Sequence, residues 1–193
     1  MDSFPDDGAD GKTRFEGHFF RISETFSTYV PLPFGMTWAT QLRLGQIAQL
    51  TSLARSKTYP DRLFFLGGMD SVRGYLQDAF VPQDLANELE SNPDFTLANV
   101  VSRGGNLFVN PRTEVRVPVL GVLGTVVFLD AANLWQDPFS LLDNPRSFTL
   151  RTTAGTGLRV DTPLFPIAID FGWNLAPRAW EDAWAYHFAV GLF

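Results

Sequence analysis

Strict alternation of apolar and polar residues over positions 165–175 constrains this sequence more than any other feature. Large apolar residues at the odd positions alternate without a break with small or polar residues at the even positions. A period of two places successive side chains on opposite faces of an extended strand. No stretch approaches the roughly 18 consecutive apolar residues that a membrane helix needs. The segment therefore predicts a strand with one apolar and one polar face.

Weaker versions of the same pattern recur along the chain. They predict six further strands, at 14–30, 36–45, 107–117, 122–135, 150–161 and 184–193. One short helix is expected at 84–91. Residues 1–12 are acidic and unpatterned, and they are interpreted as a tail or the remnant of a loop. The domain proper would then span 13–193.

The connections between these strands alternate in length. Short turns are expected at 31–35, 118–121 and 162–164, and long connections at 51–103, 136–147 and 176–182. This asymmetry is typical of outer-membrane barrels, whose strands need only about 9 to 11 residues to cross the bilayer. Four tryptophans near strand ends are expected to form an interfacial girdle: Trp38, Trp135, Trp173 and Trp184.

Alternation alone leaves a second fold class open. A soluble, lipocalin-like ligand-binding barrel would place the apolar face inward and the polar face in water. Long strands favour the membrane barrel, and so do polar faces rich in Gly, Thr, Asn and isolated charges.

Composition narrows the partners and the chemistry. The net charge of −6 argues against a nucleic-acid partner, and the absence of cysteine excludes disulfides and thiol catalysis. His18 and His187 have no second ligand at metal spacing, so no metal or other cofactor is expected. Isolated carboxylates without a pocket pattern predict no enzymatic activity. The first residues form no signal peptide, so the chain is either cytosolic or the C-terminal part of a longer secreted precursor.

The long connection 51–103 contains one motif that stands out. Gly67 and Gly68 are expected to act as hinges, because glycine permits tight reversals of the backbone. They precede a tip formed by Val72, Arg73, Gly74 and Tyr75. A solvated surface turn is the simplest interpretation of this tip.

The tip is nevertheless similar to a known motif. Residues 66–75, 104–118, 128–135 and 155–163 together resemble the BamA/TamA-type outer-membrane assembly factors, whose relatives include the two-partner-secretion transporters. The resemblance implies that the loop 51–103 folds into the barrel lumen. It further implies that Arg73 pairs with Glu114 and Asp130 on the wall, whereas the alternative is that both carboxylates simply face water in the lumen.

The resemblance also implies a fold and a function. The expected fold is an all-β antiparallel transmembrane β-barrel in the bacterial outer membrane, of which this chain supplies the C-terminal part, about seven or eight strands. The remaining strands would come from upstream sequence or a second copy. The implied function is folding and insertion of outer-membrane proteins, and the alternative is secretion of a polypeptide through the lumen. The expected partners are outer-membrane lipid and these clients. The C-terminal strand carries Trp184, Tyr186, Phe188 and Phe193.

Overall fold

The computed structural model describes residues 18–50, 60–100, 102–139, 148–162 and 165–191. Seven strands make up most of these residues. They are β1 (Phe19–Pro31), β2 (Thr37–Gln49), β3 (Leu107–Leu120), β4 (Leu123–Trp135), β5 (Arg151–Asp161), β6 (Pro166–Asn174) and β7 (Trp184–Val190). The one α-helix in the described ranges is α1 (Gln83–Ser91). Short 3₁₀ turns occur at Pro33–Gly35, Pro60–Arg62 and Leu97–Asn99.

The strands form a single sheet in which every strand pairs antiparallel with its neighbours in sequence, in the order β1 to β7. Within the described residues, β1 and β7 are the two edges and the sheet is open. This confirms the predicted all-β antiparallel architecture and its count of seven strands. No helix in the described ranges is both long enough and apolar enough to span a membrane.

The two faces of the sheet differ in chemistry. We call the face that carries Glu114, Asp130 and Asp170 the inner face, and the opposite one the outer face. The outer face is apolar and uncovered, with Phe26 on β1 and Val127 on β4 each about 60% exposed (59% and 61%). Glu24 is the one charged residue on the outer face of the described strands. Alternation therefore sorts the side chains as the period of two predicts.

The connection between β2 and β3 covers much of the inner face. Its apolar residues pack with inward-facing residues of β2, β3 and β4 in one core cluster: Ile47, Phe64, Leu66, Val72, Tyr75, Phe80, Phe108, Ala132 and Leu134. The backbone of Phe64 also exchanges two hydrogen bonds with that of Gly105, just before β3, each over 2.9 Å. Because this connection packs on the inner face of β4, that face carries apolar residues such as Ala132 and Leu134, and the polar alternation of β4 is weak.

Helix α1 attaches this connection to the segment that follows β4. Pro82 precedes its first turn, where a missing N–H costs nothing, and the helix ends at Ser91 before Asn92. The Asp84 carboxylate accepts hydrogen bonds from the backbone N–H groups of Gln136 and Asp137, just beyond β4. Burial raises the pKa of Asp84, and these backbone bonds oppose the shift. The predicted helix 84–91 is confirmed and starts one residue earlier.

Some predicted boundaries were wrong. Strand β2 continues to Gln49, because its last residues still pair with β1 and Ile47 is buried in the core cluster. The turn expected at 118–121 is tighter, since β3 runs to Leu120 and the chain reverses at 121–122. A register shift between Pro118 and Leu120 accommodates the proline, which has no N–H to donate to the sheet.

Three of the four tryptophans expected in the girdle lie on the outer face. Trp38, Trp173 and Trp184 are about half exposed on the outer face. Trp135 is fully buried instead, because it stacks on Phe148 with ring centroids 5.7 Å apart.

Parts of several predicted segments lie outside the described residues. These are the tail 1–12, the start of the strand predicted at 14–30, residues 51–59 and 101 of the connection 51–103, most of the connection 136–147, residues 163 and 164 of one short turn, and the last two residues of the chain.

Candidate functional site

The candidate site is the tip of the β2–β3 connection, and the two predicted hinge glycines shape it. Gly67 and Gly68 have φ angles of 108° and 96°, a left-handed backbone region that side chains disfavour. The amide of Gly68 donates to the carbonyl of Tyr75 over 2.9 Å, which closes the tip into a compact loop. The amide of Gly67 donates to the Ser71 hydroxyl over 2.8 Å. Two hydrogen bonds within the loop itself therefore support the shape of the tip, in addition to its contacts with the wall.

The predicted tip residues are buried against the inner face. Val72 and Arg73 are 0% and 2% exposed, and Tyr75 is 4% exposed. A Cβ at Gly74 would collide with the side chain of Thr153 on β5. A Cβ at Gly172 on β6 would collide with the carbonyl group of Arg73. Both glycines thus let the tip backbone lie directly on the wall, and a solvated surface turn is contradicted.

The Arg73 guanidinium group contacts three carboxylates. Its Nε and Nη2 donate to the two oxygens of Asp130, each over 2.8 Å, in a bidentate pair. Its Nη1 donates to Glu114 over 2.8 Å and to Asp170 over 3.3 Å. The Arg73 amide also donates to Asp130, over 3.1 Å. The structure thus brings Arg73 together with both carboxylates that the resemblance implied, and with a third.

An aromatic ring stacks against this guanidinium group. The Cζ atom of Arg73 lies 3.6 Å from the ring centroid of Phe128, which faces inward from β4. A planar cation over an aromatic face is favourable, and more so when both are desolvated. Arginine meets the bidentate and stacking requirements together, which lysine would not.

Three further arginines share the carboxylates of this site. Arg159 pairs with both oxygens of Asp170, over 2.5 and 2.9 Å. Arg116 donates to Glu114 over 2.7 Å. Arg112 donates to Asp130 over 3.4 Å and to the carbonyl oxygens of Met69 and Asp70 in the tip. The cluster therefore holds four guanidinium groups around three carboxylates.

Charge balance makes this burial tolerable. Burial alone would lower the pKa of Arg73, but hydrogen bonding and Coulombic attraction from Asp130, then from Glu114, outweigh it and raise that pKa above its ordinary value. Arg73 therefore stays charged. Removing Arg73 would take the bidentate partner from Asp130 and leave it only the 3.4 Å contact with Arg112. Breaking such a buried pair costs about 3–5 kcal/mol.

Sequence reasoning missed four members of this cluster: Asp170, Arg112, Arg116 and Arg159. A signal was present, because Asp170 lies on the polar side of the strand with the clearest alternation, as Glu114 does on β3. Which polar residues meet at one depth depends on strand register. Gly157, opposite Asp170, leaves room for its carboxylate.

Below the tip, towards the short turns, the inner face borders a cavity of about 860 Å³. Its lining includes the inward residues Thr25 of β1, Gln41 and Arg43 of β2, and Arg116 of β3. Polar side chains without apolar cover suit a water-filled lumen. Among the described residues, no group of three or more His, Asp or Glu side chains could hold a metal ion.

The predicted C-terminal strand forms the second edge of the sheet. Trp184, Tyr186 and Phe188 lie on its outer face and are 51–66% exposed. Its inner face carries Ala185, His187 and Ala189. Phe193 lies outside the described residues.

Comparison with known proteins agrees with this geometry. The sequence profile of the Omp85 superfamily domain matches residues 10–193. The chain is 26% identical over 140 residues to outer envelope protein 80, chloroplastic, of Arabidopsis thaliana. That match covers 70% of this chain and 15% of the plant protein.

Two solved structures share the fold. BamA from Haemophilus ducreyi lacking POTRA domains 1–3 superimposes with a TM-score of 0.65 at 20% identity, covering 90% of this chain and 35% of that chain. CdiB from Acinetobacter baumannii gives a TM-score of 0.55 at 13% identity, covering 90% of this chain and 27% of that chain. This chain therefore spans about a third or less of each of the three proteins.

Proposed function

The chain belongs to the Omp85 superfamily, and we propose that it forms the C-terminal part of an outer-membrane barrel that helps fold and insert other outer-membrane proteins. The fold is that of an outer-membrane barrel with an infolded loop. It contradicts the soluble ligand-binding barrel that alternation left open, because the apolar face is the outer one and the buried charges face inward. The proposed function involves no catalytic chemistry and no cofactor.

The observation that carries the proposal is the last strand. Strand β7 has seven residues, whereas β1 to β4 have 13 or 14 each, and within the described residues it pairs only with β6. The free edge of a strand presents N–H and C=O groups that can pair with another strand. A short, weakly held edge strand with an aromatic lipid-facing side would offer a seam at which a client strand can be added.

The seated loop supports the same proposal. It packs over the inner faces of β3 to β6, where the Arg73 cluster holds it to three strands. Such a loop would obstruct a polypeptide moving through the lumen, and within the described residues it forms no strand pairing with the outer backbone edge of β7. Insertion at an edge is therefore favoured over passage through the bore.

Secretion of a polypeptide is the second candidate. It is favoured by the uncovered polar inner face of β1, where Ser23, Thr25 and Ser27 follow one another. An extended chain could pass along this side if the seated loop moved.

We propose the bacterial outer membrane as the location. Two of the similar proteins come from bacteria, and the third is named as a chloroplast outer-envelope protein. Outer-membrane lipid would contact the outer face.

Strand direction bears on how the barrel closes. In a sheet of seven antiparallel strands, β1 and β7 run in the same direction. A second copy related by a twofold axis along the barrel would bring β1 and β7 together in parallel, whereas outer-membrane barrels of bacteria are antiparallel throughout. For the seven strands that the structure describes, we therefore propose that the remaining strands come from a longer chain, in an odd number, and not from a second copy.

Site-specific crosslinking tests the proposal, and the absence of cysteine makes single substitutions clean. Phe188→Cys places a thiol on the edge strand, and Thr25→Cys places one in the lumen. Each variant would be reconstituted in liposomes with an unfolded outer-membrane protein that carries one cysteine in its terminal strand.

Insertion at the seam predicts a disulfide with the Phe188→Cys variant and none with Thr25→Cys, together with conversion of the client to its heat-resistant form. A disulfide at Thr25→Cys alone, with a client that stays unfolded, would support secretion and overturn insertion.

A further inference from the structure

A second buried polar cluster lies outside the Arg73 site, nearer the long loops. Its centre is Glu181, in the segment between β6 and β7, whose side chain is 3% exposed. One oxygen of Glu181 accepts a hydrogen bond from Arg151 of β5 over 2.6 Å. The other accepts from the Tyr75 hydroxyl over 3.1 Å and from Asn174 over 3.3 Å. We call Tyr75, Arg151, Asn174 and Glu181 the Glu181 cluster.

The Glu181 cluster binds the infolded loop at Tyr75, the last residue of the tip, and at Phe80 and Val81 beyond it. Asn174 also donates to the Tyr75 hydroxyl oxygen over 2.8 Å, so this hydroxyl group has a donor and an acceptor partner. The Arg151 guanidinium group donates to the carbonyl of Val81 and lies 3.5 Å from the ring centroid of Phe80. Burial, followed by the nearby Glu181 charge, raises the pKa of Tyr75 despite the opposing Arg151 charge, so the hydroxyl keeps its proton.

The same segment of the loop also touches β7 directly. The Nε2 atom of His187, on the inner face of β7, lies 3.1 Å from the Arg73 carbonyl oxygen, a distance at which an Nε2–H donates to that oxygen. The other two inner-face residues of β7 are alanines, which have no polar group to bond the loop. The last hairpin is therefore tied to the loop at two points, through Glu181 before β7 and through His187 on it.

We propose that the Glu181 cluster couples the position of the infolded loop to that of the edge strand β7. While Tyr75 is bound, Glu181 fixes the start of β7 and His187 fixes its middle. When the loop leaves, both ties are lost, and β7 is held within the described residues by β6 alone. Glu181 is in this sense a positioning residue for the seam.

This coupling deepens the proposed function, because it would regulate the edge to which a client strand adds. Only the effect of the coupling on client insertion depends on the proposed function. The coupling itself is a property of the protein without a client, and it can be measured in that state.

Hydrogen exchange of the β7 amides tests the coupling in the purified protein in detergent. Tyr75→Phe removes one hydroxyl group and keeps the ring that packs on Phe80, and Glu181→Gln removes the charge that binds Arg151. Each substitution is expected to speed exchange of the hydrogen-bonded amides in 184–190 about tenfold, since a lost hydrogen bond to a charged group has roughly that effect. The double variant should gain less than the product of the two single effects.

Tyr186→Phe and Glu88→Gln are matched controls. Tyr186 carries its hydroxyl on the outer face of the same strand, and Glu88 is exposed on α1. Neither change should alter exchange in 184–190.

Faster exchange in the loop with unchanged exchange in 184–190 would overturn the coupling, and so would full additivity of the two substitutions. If Glu181→Gln does not fold, the single Tyr75→Phe variant decides the question. Loss of client insertion with the coupling intact would count against the proposed function alone.

Discussion

Strands β1 and β4 have the same length, 13 residues, and opposite surroundings. In β1 every residue after the first is exposed, on both faces. In β4 the inner-face residues from Val126 onward and the last four positions are buried. The difference lies in the infolded loop, which covers the inner face of β4 but meets that of β1 only at its start, where Arg21 lies 4.3 Å from the ring centroid of Phe64.

The comparison shows that one face of the sheet has two environments, a part covered by the loop and a part open to the lumen. Where the loop sits, inner residues are aromatic, small or charged in pairs, as with Phe128, Asp130 and Ala132. Where the loop does not reach, as at Ser23, Thr25 and Ser27 of β1, they carry hydroxyl groups that water can solvate. The loop therefore turns half of a wet lumen into a protein core, and Arg73 is the residue whose removal should undo this.

The largest expected effect is that of Arg73→Ala. It takes the bidentate partner from the fully buried Asp130, which keeps only a 3.4 Å contact with Arg112, and it should lower the free energy of unfolding by about 3–5 kcal/mol. Heat resistance of the folded band on a gel, followed by urea unfolding, would measure the loss.

Arg62→Ala is the control for that variant. Arg62 lies on the same connection and pairs with Asp61, but both side chains are more than half exposed (60% and 68%). Its loss should cost at most about 1 kcal/mol. Equal heat resistance of the two variants would mean that the buried cluster does not secure the loop.

A charge on the outer face should have the next largest effect. Val127→Arg puts a guanidinium group on the lipid side of β4, which is expected to cost about 2–4 kcal/mol near the bilayer midplane. Thr25→Arg puts the same group on the open inner face of β1 and should cost less than about 1 kcal/mol. Unfolding of both variants in lipid vesicles compares them, and a reversed order would contradict the assignment of the two faces.

Gly172→Ala tests how closely the tip lies on the wall. The added methyl group would collide with the Arg73 carbonyl, so the tip must shift, at a cost of about 1–3 kcal/mol. The loop should also become more sensitive to protease. Gly124→Ala is the matched control on β4, where a Cβ would make only ordinary contacts, at 3.4 and 3.7 Å. Similar proteolysis of both variants would argue against a close seat.

The smallest effect is expected on β1. Thr25→Val exchanges a hydroxyl for a methyl group on the open inner face, and unfolding should change by no more than about 0.5 kcal/mol. Ala132→Val, in the covered half of the sheet, overpacks a fully buried site and should cost about 1–3 kcal/mol. A large effect at Thr25 would show that β1 has a contact that the comparison with β4 does not include.

Prediction from sequence succeeded where the signal was local. Alternation over 165–175 placed β6 to within a residue at each end. Glu114 could be assigned to a polar face from its own strand, and the resemblance supplied its pairing with Arg73. Trp135 shows the limit, because its position near a strand end suggested a lipid interface, whereas its stacking partner Phe148 lies across the next connection, whose path the residue pattern does not predict.

The sequence by itself determined the strands, their two faces and the glycine-rich tip, because each of these depends on the period of two or on backbone freedom at single residues. Only the tertiary structure decided that Asp170 and Arg159 join Glu114 and Asp130 around Arg73, and that Glu181 receives Tyr75. These groupings depend on the register of strands far apart in the chain and on the path of one long loop across them. Neither can be deduced from the residue spacing within a single segment.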